Sequence, residues 1–480
     1  MKETNLGITV RKEDNSSEWY TQVIQKARLV EYGPVSGCLV YRPESFQIWE
    51  KIRDFFDKEI KKRGVKNAYF PLLIPESLFK KEAEHVKGFA PEVAWVTHGG
   101  STKLNEKLAI RPTSETIMYD SYRKWVRSYK DLPILINQWC NIVRWEFKHP
   151  VPFLRGREFL WQEGHNVFAT QQEVEKDTKE ILDLYAKTFE ELLAVPVIKG
   201  RKSEKEKFAG ALYTLSIETF LSNGKAVQGA TSHNLGQNFA KAFNISFIDE
   251  NEKKQYAWQN SWGLSTRSLG IMILTHSDNK GLVLPPKVAQ HKVVIIPIFF
   301  KDKKEAVLKA ANDLKSRLKS FDPILDDRDD YSTGWKFNDW ELKGIPLRIE
   351  IGPKDLEKKQ AVLVTRHDGR KESVKIKDAP KKVAELLEQM QKELFEKAKK
   401  FIKDNTVTAK NFDELKKAIN NKKLVEAYWC ENQECENWIK DKTGGAKTLN
   451  IPFEQPSMKG KKCVWCKKQA SVLVYFAKSY

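Results

Sequence analysis

Arg144-Trp-Glu146 brings a guanidinium and a carboxylate together just after the apolar, strand-like runs 134–136 and 142–143. On a strand, residues i and i+2 share a face, so both side chains are expected on one surface. The guanidinium fork suits phosphate or carboxylate oxygens, and a neighbouring carboxylate can accept a hydrogen bond from an exocyclic amine such as that of adenine. Taken alone, the tripeptide is also the pattern of a cross-strand ion pair. Its surroundings add to it. Downstream, Arg155, Arg157 and Phe159 lead through Trp161 to His165 and read as a hairpin with a basic loop. Trp262-Gly-Leu-Ser265-Thr-Arg267 then runs into an apolar stretch, where Ser or Thr can cap a helix whose first turn carries Arg267, placed to meet a terminal phosphate. Upstream, Arg111-Pro-Thr113-Ser-Glu115 follows the strand-like 108–110 at a strand-to-helix turn. Glu115 there can pair with an ammonium in a desolvated site, although Thr113 with early acidic residues is equally a helix-entry capping pattern. Together these segments are equipped to hold an amino acid beside ATP.

The segments resemble the signature motifs of class II aminoacyl-tRNA synthetases. Their wording is similar to the prolyl family in its archaeal and eukaryote-like form, over nearly the whole chain. The helix expected from Pro43 to Arg63, followed by Tyr69-Phe70-Pro71, stands as the first motif, the hairpin around Arg144 and Glu146 as the second, and the segment ending in Arg267 as the third. Independently of the resemblance, Phe46, Trp49, Ile52, Phe56 and Ile60 recur at helical spacing between Pro43 and Gly64, the stripe of a core or subunit surface. The resemblance makes that surface a homodimer interface.

What the resemblance implies is activation of L-proline by ATP to prolyl-adenylate and pyrophosphate, then transfer of the prolyl group to tRNA(Pro), with no protein nucleophile. It places Thr113 and Glu115 on the amino acid and Arg144 on its carboxylate, with Phe89, Trp161, His165, Phe208 and His233 around the ring. It assigns Glu146 to the adenine amine, Phe159 to stacking on the base, and Arg155 and Arg267 to the phosphates. Ser265 belongs with the ATP contacts, and Gln228 and Thr231, in the polar, glycine-containing stretch 228–237, match nucleotide or Mg²⁺ contacts. Arg144 and Arg267 are the expected catalytic residues. Two other readings stand beside this one: a non-catalytic tRNA-binding relative, against which the intact Arg144, Glu146 and Arg267 argue, and a synthetase for another small amino acid.

A chain of 480 residues with 41% hydrophobic content suits several globular domains, and its net charge of +19 suits a polyanionic partner such as tRNA. No run reaches transmembrane length and the start lacks an apolar signal core, so the expectation is a cytoplasmic protein with no membrane association. The expected fold class is multidomain α/β. It comprises an antiparallel catalytic sheet with helices (1–286), an α/β anticodon-binding module (287–385), and a linker helix with a small α+β zinc-binding domain (386–480). The first boundary rests on Leu284-Pro-Pro-Lys287. Beyond it, 292–299, 321–326, 347–351 and 361–365 read as strands, 301–318 as a charged helix, and 381–402 as a second helix. Arg328, Lys336, Arg348 and Glu350 stand as anticodon contacts or, equally, surface ion pairs. Cys430, Cys435, Cys463 and Cys466 form two close pairs separated by a longer loop, the spacing of a closed, structural Zn²⁺ site in a reducing compartment. The stretch 170–193 opens with a Thr-x-x-Glu capping box and reads as scaffold. The interval between the second and third motifs is too short for the editing insertion of bacterial-type relatives, so correction of mischarged alanine in cis is not expected. The terminal run 472–476 reads as a strand, and Tyr480 is expected to tuck toward the catalytic part.

Overall fold

The computed structural model describes residues 7–85, 92–146, 149–298 and 303–480. Its centre is an antiparallel sheet in which Ile134–Val143, Glu158–Phe168, Trp258–Ser265, Lys225–Gly236 and Tyr213–Phe220 lie side by side, with Ile198–Arg201 beyond. Helices Pro43–Lys61, Gln171–Lys187 and Arg267–His276 pack with this sheet and share one apolar core. Within it Phe56 stacks on Tyr185 with ring centroids 4.9 Å apart, and the Trp262 ring closes on both. Trp262 takes the space above Gly164, where a Cβ would stand 2.0 Å from its ring, so only glycine fits in the neighbouring strand.

Local signals explain the helix ends. Pro43 occupies the first turn of its helix, where its missing N–H costs nothing. Thr170 and Glu173 form the expected capping box: the Thr170 hydroxyl accepts from the Glu173 amide at 3.3 Å, and the Glu173 carboxylate accepts from the Thr170 amide at 2.9 Å. One member of the first-motif stripe departs from expectation. Trp49, Ile52, Phe56 and Ile60 are buried with Ile48, but Phe46 is 38% exposed, because Ser45 beside it takes the inward-facing position of that turn.

A second sheet is mixed, in the order Ile324–Leu325, Val293–Pro297, Leu347–Ile351, Gln360–Thr365, Lys371–Lys375, parallel across the first three strands and antiparallel across the rest. Helix Lys304–Arg317 covers its core. The edge strand Lys371–Lys375 was not foreseen, since lysines at both of its ends give it no apolar run.

The helix expected at 381–402 spans Ala379–Asn405 without interruption, passing through the boundary placed at 385/386. Val383, Leu386 and Leu387 close the core of the mixed sheet, Met390 and Leu394 pack with Ala194 and Val283, and Phe401 stacks near Phe220. It therefore behaves as one rod buried at successive levels against different partners. The last strand, Val472–Ser479, pairs in parallel with the start of Lys225–Gly236, so the C-terminal strands continue the central sheet. The Tyr480 hydroxyl accepts from Asn223 at 2.6 Å, as the expected tucking requires. No helix among the described residues is long and apolar enough to cross a membrane.

Candidate active site

Cross-strand register builds the site from the sheet. Ile136, His165, Ser261, His233 and Thr214 form one transverse row, and Gln138, Glu163, Gly263, Thr231 and Ser216 form the next. Trp161 and Ser265 pair in a third. Side chains two apart share a face, so 161, 163 and 165 rise from one strand, 261, 263 and 265 from its neighbour, and 231 and 233 from the next. That face is the floor of a cavity of about 640 Å³, lined also by Pro112, Thr113, Glu115, Arg144, Glu146, Phe159, Phe208, Gln228 and Arg267. Gly263 leaves room for the Trp161 ring, which lies 3.4 Å from where its Cβ would be.

The R-x-E pair sits just past a strand rather than on it. The ladder ends at Val143, Arg144 donates one more backbone bond to the Arg157 carbonyl at 2.7 Å, and the two chains then part into the basic loop. Arg144 is fixed by its Nε donating to the Pro112 carbonyl at 3.1 Å, and its guanidinium lies 5.7 Å from the Phe159 ring centre and 5.5 Å from that of Trp161. Thr113 and Glu115 flank Ser114, the N-cap residue of helix Glu115–Trp125, and the Thr113 hydroxyl donates to the Glu115 carboxylate. Arg267 opens helix Arg267–His276. The expected cap is shared differently: the Ser265 hydroxyl accepts from the Arg267 amide at 3.3 Å, whereas the Thr266 hydroxyl meets that of Tyr41.

Charge in the cavity is organised around Glu163 and His165. The Glu163 carboxylate accepts from the Ser114 amide at 3.1 Å, the Gln138 amide at 3.1 Å, the Ser114 hydroxyl and His165 Nε2 at 3.0 Å. Burial opposes its ionisation, but these bonds and the His165 charge outweigh burial and hold the carboxyl below its ordinary value. Burial likewise opposes protonation of His165, and the Glu163 bond with the charges of Glu115 and Glu163 outweighs it, raising the imidazole. His233 is the reverse case. Burial, then the charges of His165 and Arg144, push it down to about 3, so it is neutral and bonds Thr214 and Thr231 at 2.9 and 3.0 Å while packing on Phe208. Glu115 thus shares the cavity with a neutral imidazole wall. On the other side of Arg144, burial and then the charge of Arg144 push Arg267 down to about 10, Glu218 partly opposes this and Arg155 adds to it, so the guanidinium stays charged and awaits an anion.

Residues 96–276 match the family described as tRNA synthetase class II core domain (G, H, P, S and T), residues 292–386 match the anticodon binding domain, and residues 412–480 match prolyl-tRNA synthetase, C-terminal. The cytoplasmic proline–tRNA ligase of Arabidopsis thaliana is 51% identical over the whole chain and 92% of its own length. That of Alkaliphilus oremlandii is 52% identical over 97% of this chain and 96% of its own. The chain belongs to the prolyl-tRNA synthetase family. A crystal structure of prolyl-tRNA synthetase from Cryptosporidium parvum, complexed with halofuginone and AMPPNP, superposes with a TM-score of 0.96 at 48% identity, covering 99% of this chain and 100% of that one. The chain also matches the bifunctional glutamate/proline–tRNA ligases of Cricetulus griseus and Mus musculus at 49% identity, spanning 33% of their length.

In this chain the cavity brings together Thr113, Glu115, Arg144, Glu146, Phe159, Trp161, His165, Phe208, Gln228, Thr231, His233, Ser265 and Arg267. Arg155 instead lines an adjoining cavity that shares Gln228 and Arg267 with the first. Phe89 lies outside the described residues. The stretch 228–237 is strand up to Gly236, and Gly229 is there because a Cβ would stand 2.8 Å from the Phe189 ring. Sequence reasoning missed Glu163, although it lies between Trp161 and His165 at the same period of two. It also missed Ser114, Gln138 and Tyr119, whose hydroxyl lies 3.0 Å from His165 Nδ1.

The four cysteines meet far from this cavity in sequence, their Sγ atoms within 4.8 Å of one another. Cys430 lies 3.6 Å from Cys435 and 3.7 Å from Cys466. A tetrahedron with Zn–S bonds of about 2.3 Å has edges near these separations, so the donor set fits Zn²⁺. Glu431 and Lys467, each directly after a cysteine, take left-handed backbone conformations that turn the chain sharply at the cluster.

Proposed function

We propose that this chain activates L-proline with ATP and transfers the prolyl group to tRNA(Pro). The observation that carries the reading is the position of Arg144, between the Thr113–Glu115 turn on one side and Glu146 with Phe159 on the other, inside one cavity. Glu115 takes the proline ammonium, Trp161, Phe208 and His233 wall the ring, and Arg144 holds the carboxylate against the α-phosphate. His165 and Glu163 lie bonded to each other on the floor of the cavity. Glu146 receives the adenine amine and Phe159 stacks on the base, with Ser265 alongside. A carboxylate oxygen attacks the α-phosphorus, the bond to the bridging oxygen breaks, and pyrophosphate leaves. A terminal ribose hydroxyl of tRNA then attacks the prolyl carbonyl and AMP departs. Catalysis is positioning and charge stabilisation, with Arg144 and Arg267 meeting the charge that develops. Mg²⁺, when bound with ATP, would neutralise the phosphates, and the neutral oxygens of Gln228 and Thr231 suit a cation that keeps its waters.

Other parts of the reading rest on the surrounding structure. Residues 1–286 form the catalytic domain, 287–385 the anticodon-binding domain and 386–480 the linker and zinc domain, with Zn²⁺ held structurally by Cys430, Cys435, Cys463 and Cys466. Exposed Tyr32, Val40, Phe46, Tyr69 and Leu73 around the first-motif helix supply the apolar surface of a homodimer. The net charge of +19 favours tRNA. Between the second and third motifs the chain is taken up by strands of the central sheet, its helices and the small hairpin Ser246–Ile248/Lys254–Tyr256, and the enzyme works in the cytoplasm without editing mischarged alanine in cis. The test is ATP–pyrophosphate exchange by the purified chain with proline, threonine, serine and alanine. Exchange is expected with proline; a preference for threonine or serine, or none with any, would overturn the reading. Metal analysis is expected to return one zinc per chain, lost in Cys463→Ser.

A further inference from the structure

Phe208, a wall of the amino-acid cavity, stands in the loop 202–212 between strands Ile198–Arg201 and Tyr213–Phe220. The approach to it is held from the C-terminal part of the chain. Arg201 donates to the Glu431 carboxylate, Lys202 Nζ to the Leu449 carbonyl at 2.6 Å, and Lys205 Nζ to the Asn437 side-chain carbonyl. The Glu206 carboxylate accepts from Lys447 Nζ at 2.6 Å. Between these, the Ser203 hydroxyl donates to the Glu436 carboxylate at 3.0 Å. The strand before the loop is held the same way, with Ile451 opposite Arg201 and Pro452 opposite Gly200. Almost residue by residue, the run into Phe208 is strapped to the part that carries the four cysteines.

Glu436 differs from the other straps in being fully buried. One of its carboxylate oxygens accepts from the Ser203 and Thr448 hydroxyls, and the other has no hydrogen-bond partner among the described residues. A carboxylate taken out of water with an idle oxygen is unfavourable by itself. What the arrangement supplies is geometry. The Ser203 hydroxyl also accepts from the Glu206 amide at 3.2 Å, and the Ser203 carbonyl accepts from the Lys207 amide at 2.9 Å, so Ser203 closes the turn that leads into Phe208. The Phe208 amide then donates to the Thr214 hydroxyl at 2.9 Å, and its ring packs on His233 with centroids 4.7 Å apart. Glu436 is itself fixed by its place directly after Cys435 in helix Gln433–Lys442, whose N-cap is Asn432.

We propose that Glu436 is a positioning residue for the amino-acid site: through Ser203 it fixes the turn that presents Phe208 to the proline ring, so that the C-terminal domain shapes the amino-acid pocket from outside it. The inference rests on the synthetase reading above. Phe208 meets the ring and not the nucleotide in that reading, so a slackened turn weakens proline binding and leaves the ATP contacts of Glu146 and Phe159 as they are. Glu436 acts only through the wall it places, and its influence ends where Phe208 is removed.

The test is ATP–pyrophosphate exchange by the full chain, with proline and ATP varied in turn, in wild type, Ser203→Ala, Glu436→Ala, Glu436→Gln, Phe208→Ala and the double variant of Phe208→Ala with Glu436→Ala. Ser203→Ala and Glu436→Ala are each expected to raise the KM for proline about tenfold, with the KM for ATP within about twofold of wild type. Glu436→Gln keeps the oxygen that accepts from Ser203 and Thr448, and its KM for proline is expected to stay within about threefold of wild type. In the Phe208→Ala background, Glu436→Ala is expected to change the KM for proline by less than about twofold. An unchanged KM for proline in Ser203→Ala and Glu436→Ala, an equal rise for ATP, a Glu436→Gln defect as large as that of Glu436→Ala, or full additivity with Phe208→Ala would overturn the proposal. Should Glu436→Ala fail to fold, Ser203→Ala, alone and combined with Phe208→Ala, decides by the same criteria. Wild type that exchanges with proline while these variants match it refutes this inference alone, whereas wild type with no exchange refutes the synthetase reading and this inference with it.

Discussion

In the mixed-sheet module, Arg328 lies against Asp326 at 2.7 Å and Asp339 at 3.2 Å, and Arg348 against Glu350 at 2.9 Å. In the central cavity, Arg144 and Arg267 have no carboxylate within ion-pair distance among the described residues. The consequences run in opposite directions. Hydrogen bonding to Asp326 raises Arg328 above its ordinary value, whereas burial lowers Arg144 and Arg267. A cation taken out of water without a counter-ion costs stability. The cavity arginines are tolerated because backbone carbonyls and aromatic faces hold them, and in the proposed function an ATP phosphate and a proline carboxylate complete the balance. The module arginines already have carboxylate partners within the chain.

The comparison breaks most visibly at Arg144. Arg144→Ala is expected to cut kcat/KM for proline-dependent exchange by about a thousandfold or more, while urea unfolding shows stability unchanged or improved. Glu115→Gln comes next: the KM for proline rises by about ten- to a hundredfold as a charge-assisted contact is lost, with the KM for ATP within about twofold. The buried pair beneath the site gives a smaller, pH-dependent signature. Glu163→Gln is expected to cost about 3 kcal/mol near pH 6, since it strips a buried charge of its partner. His165 is raised above 6.5, so its contribution is fully present below that value and is lost as pH rises through its folded value. Glu163 is lowered below 4.5, so its contribution is present above that value and is lost as pH falls through its folded value. The stability gap between wild type and Glu163→Gln should therefore be widest between pH 4.5 and 6.5 and narrow at alkaline pH. The smallest effect on exchange is in the module: Arg328→Ala strips the buried Asp326 of its partner and is expected to lower stability, but leaves exchange unaltered. An exchange defect in Arg328→Ala matching that of Arg144→Ala would erase the contrast.

Legibility in the sequence followed the range of the interaction. The hairpin, the strand-to-helix turn before Glu115 and the four cysteines are marked by spacing within short segments, and the structure brings each set together. Glu163 was legible in principle, because the alternation that puts Trp161 and His165 on one face puts Glu163 between them. Its partners Ser114 and Gln138 come from other elements and leave no local mark. The glycine of 228–237 serves packing, Gly229 lying under Phe189 within a strand, a role that its local sequence does not announce. The helix Ala379–Asn405 hid its domain boundary because one continuous apolar stripe serves successive cores.

The central claim is that Arg144 joins a proline seat to a nucleotide seat in one cavity. A crystal of the wild-type chain soaked with a non-hydrolysable prolyl-adenylate analogue tests it most directly. The account predicts the analogue's ammonium on Glu115, its acyl-phosphate region on Arg144 and its base on Phe159. An analogue bound elsewhere, with Arg144 still bonded only to the Pro112 carbonyl, would contradict it.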